Sequence, residues 1–353
     1  MAKVGPRQTG AFPTPGGGWR HAWSALSKWG TDAGFTLVLY VLLLPFVLYI
    51  IAANQQFRWP WAHPAWHVQA YLTDTQGRPI DVNGVTFVDR NRGWVVGDRG
   101  TIYATRDGGE TWTPQTSGTT QRLRGIDFVD AQRGWAVGSW NTILYTEDGG
   151  NRWSNIGEEH PVFPASVKFV NDRIGWMAGI GGELLRTEDG GRTWTEQKGI
   201  GSRGISGLSV VDASYAWIVG SRYSMAFTQD GGQRWTRRNA EIEAVGAVTF
   251  LDHSTGWYAG QDGRVFKTSD GGGSWAEQKT PTRVGITDLH FLDSNNGWAV
   301  GVAGTILHTG NGGQTWESQD AGIARNLFSL DAIDGEYAWA VGQGGVVLRY
   351  SFK

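Results

Sequence analysis

The chain has 353 residues, of which 53 are glycine and 20 are tryptophan, and only 18% of its residues are charged. It contains no cysteine, which excludes disulfides, thiolate metal sites and cysteine nucleophiles. The formal net charge of -2 gives no reason to expect nucleic acid as a partner.

The first predicted element is a membrane span. Residues 35–53 carry no charge and at helical rise would cover about 28 Å, close to the hydrocarbon thickness of a bilayer. A cleaved signal peptide is the competing interpretation, but more than 30 residues precede the run and no small-residue cleavage site follows it cleanly. We therefore expect an uncleaved transmembrane helix at residues 35–53.

The charges that flank this span predict its orientation. Between the span and Trp66 the only basic residue is Arg58, whereas four precede the span: Lys3, Arg7, Arg20 and Lys28. The positive-inside rule then keeps the N-terminus in the cytoplasm of a bacterium and exports the rest to the periplasm. The tail, residues 1–34, contains either a short interfacial helix or an extension of the span, and residues 54–65 form a linker.

From residue 66 onward the sequence repeats. A tryptophan preceded by Gly or Ala recurs at intervals of 41, 41, 41, 40, 41 and 41 residues: Trp94, Trp135, Trp176, Trp217, Trp257, Trp298 and Trp339. A second tryptophan ends a T-x-D-G-G-x-[T/R/S]-W box: Trp112, Trp153, Trp194, Trp235, Trp275 and Trp316. Each unit holds four short strands, of the types GIDFVD, GWAVG and TILYT, with a fourth that begins at the box tryptophan. The pattern predicts an all-β, seven-bladed β-propeller over residues 66–353.

The seventh unit lacks a box, so its outer strand must come from elsewhere. The sequence from Trp66 to Gln69 matches the W-x-x-Q that ends several boxes, for example Trp112 to Gln115. We expect residues 66–72 to supply the missing strand and close the ring, since closure leaves no open sheet edge at the seam.

The D-G-G box is interpreted as structural. Its Asp can accept backbone N–H groups, and its glycines supply turn conformations that a side chain opposes. Asn311 replaces Asp in the sixth box, which a metal site would tolerate poorly. The sequence predicts no catalytic residue, no cofactor and no metal.

The repeated GW-x-V-G unit with its box resembles the photosystem II assembly factor Ycf48 and its relatives over residues 66–353. The resemblance implies a non-enzymatic scaffold that binds a membrane-protein complex. By analogy with membrane-anchored bacterial relatives, it implies an RND-family exporter as partner. Asp boxes also occur in sialidases and other glycosidases, so a carbohydrate-active enzyme is the alternative. Against it, one propeller offers no cleft between two, and adjacent acids such as Glu158 and Glu159 do not face a substrate as a catalytic pair.

Two sets of polar residues are candidate sites. The first is an arginine-rich face for a partner, on loops that lead into the first strands: Arg122, Arg124, Arg203, Arg237, Arg238, Arg283 and Arg325. Residues 66–353 hold 26 basic and 32 acidic side chains, so such a face would be a segregated patch, unless the arginines are scattered and only keep the domain soluble. The second set is expected to line the central channel, either hydrated or holding a small ligand: Asp127, Lys168, His290 and Asp331.

Overall fold

A computed structural model describes residues 65–157, 162–198, 204–222 and 224–352. These residues form seven antiparallel sheets of four strands each, which confirms the seven-bladed β-propeller. The predicted span at residues 35–53 lies outside the described residues. Within the described part, no helix is long and apolar enough to cross a bilayer.

Each blade has an inner, a second, a third and an outer strand. The inner strands are β2 (Val82–Phe87), β6 (Leu123–Phe128), β10 (Pro164–Phe169), β14 (Ile205–Val210), β18 (Val245–Phe250), β22 (Ile286–Phe291) and β26 (Leu327–Asp334). The second strands are β3 (Gly93–Gly97), β7 (Gly134–Gly138), β11 (Gly175–Gly179), β15 (Ala216–Gly220), β19 (Gly256–Gly260), β23 (Gly297–Gly301) and β27 (Tyr337–Gly342). The third strands are β4 (Ile102–Thr105), β8 (Thr142–Thr146), β12 (Leu184–Thr187), β16 (Ser224–Thr228), β20 (Val265–Thr268), β24 (Ile306–Thr309) and β28 (Val346–Ser351). The outer strands are β5 (Thr113–Gln115), β9 (Ser154–Asn155), β13 (Thr195–Glu196), β17 (Thr236–Asn239), β21 (Ala276–Gln278), β25 (Glu317–Gln319) and β1 (Ala65–Tyr71).

The outer strands start later than the sequence suggested. In blade 1 the strand begins at Thr113, one residue after the box tryptophan, and in blade 2 it is only Ser154–Asn155. The box tryptophan ends the turn instead, and its ring packs edge-on against the phenylalanine of its own inner strand, as Trp112 does against Phe87.

The seventh blade is completed by the N-terminal strand. β1 pairs antiparallel with β28, with Ala65 opposite Ser351 and Tyr71 opposite Val346. The Trp66 indole donates from Nε1 to Oε1 of Gln319 at 2.7 Å. Trp153 donates in the same way to Gln115 of the preceding blade at 3.0 Å. Trp66 therefore takes the place of the box tryptophan that the seventh unit lacks.

Neighbouring blades are joined through the tryptophan of the second strand. Trp135 stacks on Phe169 of the next inner strand with ring centroids 3.5 Å apart, and its Nε1 donates to the carbonyl of Gly190 in the next box at 2.9 Å. The same pair of contacts joins the last blade to the first, where Trp339 stacks on Phe87 at 3.5 Å and donates to Gly108 at 2.8 Å. Each aromatic pair adds about 0.5–1.5 kcal/mol beyond the burial of its area.

The inner-strand phenylalanine explains the glycine of the GW motif. A Cβ atom on Gly93 would lie 2.4 Å from the ring of Phe87, and the other phenylalanine blades repeat this close approach. In blade 4 the phenylalanine is replaced by Val210, and the glycine by Ala216. The small residue before the tryptophan is thus set by the ring that packs on it.

The boxes are hydrogen-bonded turns. In the first box the Thr105 hydroxyl donates to Oδ1 of Asp107 at 2.8 Å and accepts the N–H of Gly109 at 2.8 Å, while Asp107 also accepts the N–H of Thr111 at 2.9 Å. Gly108 and Gly109 have φ of 73° and 94°. Asn311 makes the equivalent bond to Thr315 at 2.9 Å, so the amide oxygen replaces the carboxylate. The predicted structural role of the box is confirmed.

Replacing Trp66 should weaken the closure of the ring. Trp66 is buried with Trp298 and Tyr350 and supplies the bond to Gln319. We expect Trp66→Ala in the full chain to lower the free energy of unfolding by about 3–5 kcal/mol. Val68→Ala on the exposed part of the same strand is the control and should cost under about 1 kcal/mol. Equal thermal unfolding of the two variants would contradict the closing role of β1.

Candidate interaction face and central cavity

The loops of the propeller are divided between two faces. Because the strands of each blade are antiparallel, every inner strand starts at the edge where its second strand ends and its third strand starts. We call this edge the top face; it carries turns such as Asp98–Gly100, Val302–Gly304 and Gln343–Gly345. The opposite edge, the box face, carries all six boxes. β1 starts at the box face, since Ala65 pairs with Ser351.

Four of the predicted arginines lie on the top face. Arg122 forms a 3.0 Å ion pair with Asp98 and donates to Oδ1 of Asn83 at 2.7 Å. Arg325 lies over the ring of Tyr71 at 5.3 Å, and Arg283 donates to the carbonyl of Thr282 at 3.0 Å. Arg124, the fourth, has no hydrogen bond or ion pair with any described residue, although the described chain places Asp98 near enough to affect its pKa.

The other predicted arginines are placed differently. Arg237 and Arg238 lie in β17, the outer strand of blade 4, and not in a loop that leads into an inner strand; this part of the prediction was wrong. The error arose because this outer strand, with four residues, extends further past its box than the two-residue strands of blades 2 and 3. Arg203 lies outside the described residues. The top face also carries the acids Glu241 and Glu243, so it is not uniformly basic.

A cavity of about 330 Å³ opens at the centre of the ring, lined by residues of all seven inner strands. Lys168, His290 and Asp331 line it as expected, together with Arg124 near the top face. Asp127 contacts this set through an ion pair of 3.3 Å between its Oδ1 and Lys168 Nζ. Sequence analysis missed Asp288, which also lines the cavity.

The cavity carboxylates also hold neighbouring blades together. Asp127 accepts the backbone N–H of Phe169 at 2.7 Å, Asp288 that of Leu330 at 2.9 Å, and Asp331 that of Phe87 at 2.6 Å. In each case the donor belongs to the inner strand of the next blade. These carboxylates therefore have a structural task that needs no ligand.

Burial at the centre of the ring shifts the pKa values of these groups. It raises the pKa of Asp127, and it raises that of Asp288 to about 6. The nearby carboxylate of Asp127 raises the pKa of Lys168. Burial acts in the opposite direction but is the smaller effect. Burial lowers the pKa of His290, which favours its neutral form at pH 7.

The arrangement offers binding groups and not an evident reaction centre. The cavity carboxylates Asp127, Asp288 and Asp331 are each already engaged with a backbone N–H. Among the described residues, no group of three His, Asp or Glu side chains is placed to hold a metal ion. Glu158 and Glu159 lie outside the described residues.

Sequence analysis also missed the apolar part of the top face. Of the eight large apolar side chains that the described part of the chain exposes, six lie there: Tyr71, Trp140, Phe163, Ile180, Val284 and Val302. One signal was available, because Trp140 is the single tryptophan after Trp66 that occupies neither repeat position. These side chains are distributed over blades 2, 3, 6 and 7, and exposed apolar groups together with arginine are typical of a protein-binding surface.

Fold and face together define a class: an Asp-box β-propeller whose top face carries both exposed apolar side chains and arginines. The family model described as photosynthesis system II assembly factor YCF48 matches residues 62–197, 202–279 and 277–351. The chain belongs to that family.

Individual relatives are more distant. The photosystem II assembly protein Ycf48 of Thermosynechococcus vestitus is 53% identical over 32 residues, which are 9% of this chain and 9% of that protein. A solved structure of YCF48 bound to D1 peptide is 26% identical with a TM-score of 0.69, over 84% of this chain and 100% of that one. YCF48 from Cyanidioschyzon merolae is 23% identical with a TM-score of 0.68, over 81% and 98%.

The fold alone does not separate enzymes from binding proteins. A virginiamycin B lyase from Staphylococcus aureus is as similar in structure, with a TM-score of 0.69 over 82% of this chain, at 14% identity. Function must therefore be argued from the site. Neither the geometry nor the family supports the glycosidase alternative.

The raised pKa of Asp288 has a consequence for stability. Between its ordinary value of 3.8 and about 6, the folded chain keeps the proton that the unfolded chain has lost, so the fold loses stability as pH rises through this range and not beyond it. Asp288→Asn cannot ionise. We expect the free energy of unfolding of the parent, measured in urea, to fall by up to about 3 kcal/mol relative to that of this variant between pH 4 and 6. Above about pH 6 the difference in unfolding free energy between the two proteins should stay constant.

Asp293→Asn is the control with the opposite sign. Hydrogen bonds from Asn296 lower the pKa of Asp293, so its ionised form stabilises the fold and this contribution is lost as the solution is acidified. A difference between parent and Asp288→Asn that is the same at every pH would show that Asp288 titrates normally.

Proposed function

We propose that this chain is a membrane-tethered, non-enzymatic docking factor whose top face binds a membrane-protein complex. The observation that carries the proposal is the composition of that face, which carries six exposed apolar side chains and four of the predicted arginines, and where Arg124 has no hydrogen bond or ion pair with a described residue. A guanidinium that forms no ion pair with a described carboxylate, on a face with exposed apolar side chains, favours a polypeptide partner over bulk water.

Family membership supports the same function. The family is described as one of assembly factors, and a relative of the same fold has been solved with a D1 peptide bound. By analogy, the partner of this chain is a segment of a membrane protein exposed at the membrane surface. An RND-family exporter is our specific proposal for that partner; it derives from membrane-anchored relatives and not from the geometry.

The proposed location follows from the sequence. A helix at residues 35–53 would hold the chain in a bacterial inner membrane, with the N-terminus cytoplasmic and the propeller periplasmic. The top face lies opposite the edge where the preceding chain joins the propeller at Ala65.

Reversing the top-face charges tests the docking role. We expect the triple change of Arg124, Arg283 and Arg325 to Glu to abolish co-purification of membrane proteins with the full chain from gently solubilised membranes. Like charges placed at an interface cost more than a lost contact. The matched control reverses three exposed arginines of the box face, Arg152, Arg192 and Arg234, and should retain the partner.

Both triple variants change the net charge equally, and thermal unfolding checks that each is folded. A partner retained by the top-face variant would remove the case for this face. Hydrolysis of glycosides by the purified chain would refute the non-enzymatic proposal itself.

The location has its own test. A reporter enzyme that is active only in the periplasm, fused after Lys353, should be active in a bacterial host. The physical reason is the excess of basic residues before residue 35, which opposes export of the N-terminal side. Activity of a cytoplasmic reporter at the same position, without periplasmic activity, would reverse the proposed topology.

A further inference from the structure

Trp140 is held exposed in a backbone conformation that disfavours it. It lies at the tip of the turn between β7 and β8, is 72% exposed, and has a φ of 55°, followed by Asn141 at 56°. This left-handed conformation costs an L-residue other than glycine or asparagine about 1–2 kcal/mol. No burial of the indole offsets that cost, so the folding of the propeller gives no reason for a tryptophan here.

The surroundings fix this turn in place. The N–H of Ser139 donates to the carbonyl of Arg122 at 2.8 Å, and that of Asn141 donates to the carbonyl of Val162 at 3.1 Å. The rings of Trp140 and Phe163 meet edge to face with centroids 5.6 Å apart. Because the backbone around it is hydrogen-bonded, the turn holds the Cα of Trp140 in place while the indole stays exposed.

Ile180 extends this apolar surface into blade 3. Its N–H donates to the carbonyl of Phe163 at 3.1 Å, and its side chain is 48% exposed. We define Trp140, Phe163 and Ile180 as the aromatic patch. It is pre-organised, which reduces the entropy lost when a partner binds.

The charge beside the patch is incompletely neutralised. Among the described residues, Arg122, whose carbonyl supports the turn, forms an ion pair with Asp98, and the same carboxylate lies near enough to Arg124 to act on its pKa. Arg124 lies at the rim of the central cavity, where Arg122 and burial lower its pKa. Within the described part of the chain, two guanidinium groups therefore lie near one carboxylate, and a guanidinium can form a charge-assisted bond to an added anionic group.

We propose that the aromatic patch anchors an acidic peptide segment of the partner, which inserts a large apolar side chain against Trp140 and Phe163. A carboxylate of the same segment pairs with Arg124. This inference rests on the proposed function. It adds that the aromatic patch is the part of the top face that carries the affinity, and that the patch selects an acidic segment with an apolar anchor. Aromatic anchors at the centre of an interface commonly dominate binding.

A peptide selection tests the chemistry. The probe is a random library of 12-residue peptides, acetylated and amidated so that chain termini play no part, selected on the full chain in detergent. We expect the selected peptides to combine a Phe, Leu or Trp with at least two acidic residues. Selected peptides that lack either feature would overturn the proposal.

Substitution of Trp140 tests the anchor. We expect Trp140→Asn to weaken the dissociation constant of a selected peptide at least tenfold in fluorescence anisotropy. The melting temperature should stay unchanged or rise, since asparagine tolerates the left-handed conformation. The control is Ala303→Asn, at the same turn position of blade 6 with a φ of 55°, and it should leave binding unchanged.

A second variant covers misfolding. If Trp140→Asn does not fold, Ile180→Ser decides, and unchanged affinity in the folded variant overturns the proposal. The experiments also distinguish two other occupants of the aromatic patch, a lipid surface and a second copy of this chain. Both outcomes assume that Trp140→Asn leaves peptide affinity unaffected. If the variant then loses binding to vesicles with 30% phosphatidylglycerol, the patch is assigned to lipid. If it instead loses a dimer that the parent forms in sedimentation, the patch is assigned to a second copy.

The outcome remains separable from the proposed function. If the parent and Trp140→Asn co-purify the same membrane protein equally well, the aromatic patch is not the anchor and the docking function stands. If the parent co-purifies no membrane protein, the docking function itself fails.

Discussion

The structure depends on one repeated contact between neighbouring blades. In four of the seven blades, the tryptophan of the second strand reaches across to the next blade, where it stacks on the inner-strand phenylalanine and donates to a box glycine. Trp135 with Phe169 and Gly190 is a complete example. This contact requires a small residue beside the phenylalanine ring and a turn that presents a carbonyl, so it accounts for both the GW motif and the D-G-G box.

The closing blade shows how far that requirement extends. At the seam, Trp339 still finds Phe87 and Gly108 in the first blade. Between blades 6 and 7 the contact is incomplete, because the seventh blade has no box. The Nε1 of Trp298 is therefore buried with no partner in the described part of the chain. Trp66 restores the packing there through Tyr350 and Gln319 but does not replace the lost acceptor. Ring closure therefore tolerates one unsatisfied donor in exchange for joining both ends of the propeller in one sheet.

The division of labour between the two faces follows from the same contact. The box face is occupied by turns whose hydrogen bonds hold the blades, and the cavity carboxylates are engaged with neighbouring backbone N–H groups. The top-face turns are also held by backbone hydrogen bonds, such as that from Asn141 to the carbonyl of Val162 in the next blade. Their exposed side chains include groups that the fold does not need, such as Trp140 in its left-handed turn, and Arg124, which has no ion pair with a described residue. A surface built this way is suited to binding a partner chain.

Some features of this protein were determined by local sequence and others by the assembled ring. The number of blades, the structural use of the boxes and the origin of the last strand all follow from spacing, because each depends on contacts that recur every 40 or 41 residues. The position of Arg237 and Arg238 did not, since strand length past the box varies between blades. The grouping of Trp140 with Phe163, and of Asp288 with Lys168, joins residues of different blades. The packing of consecutive blades brings the first pair together and the closed ring brings the second together, and no periodicity along the chain encodes which exposed side chains then share a face.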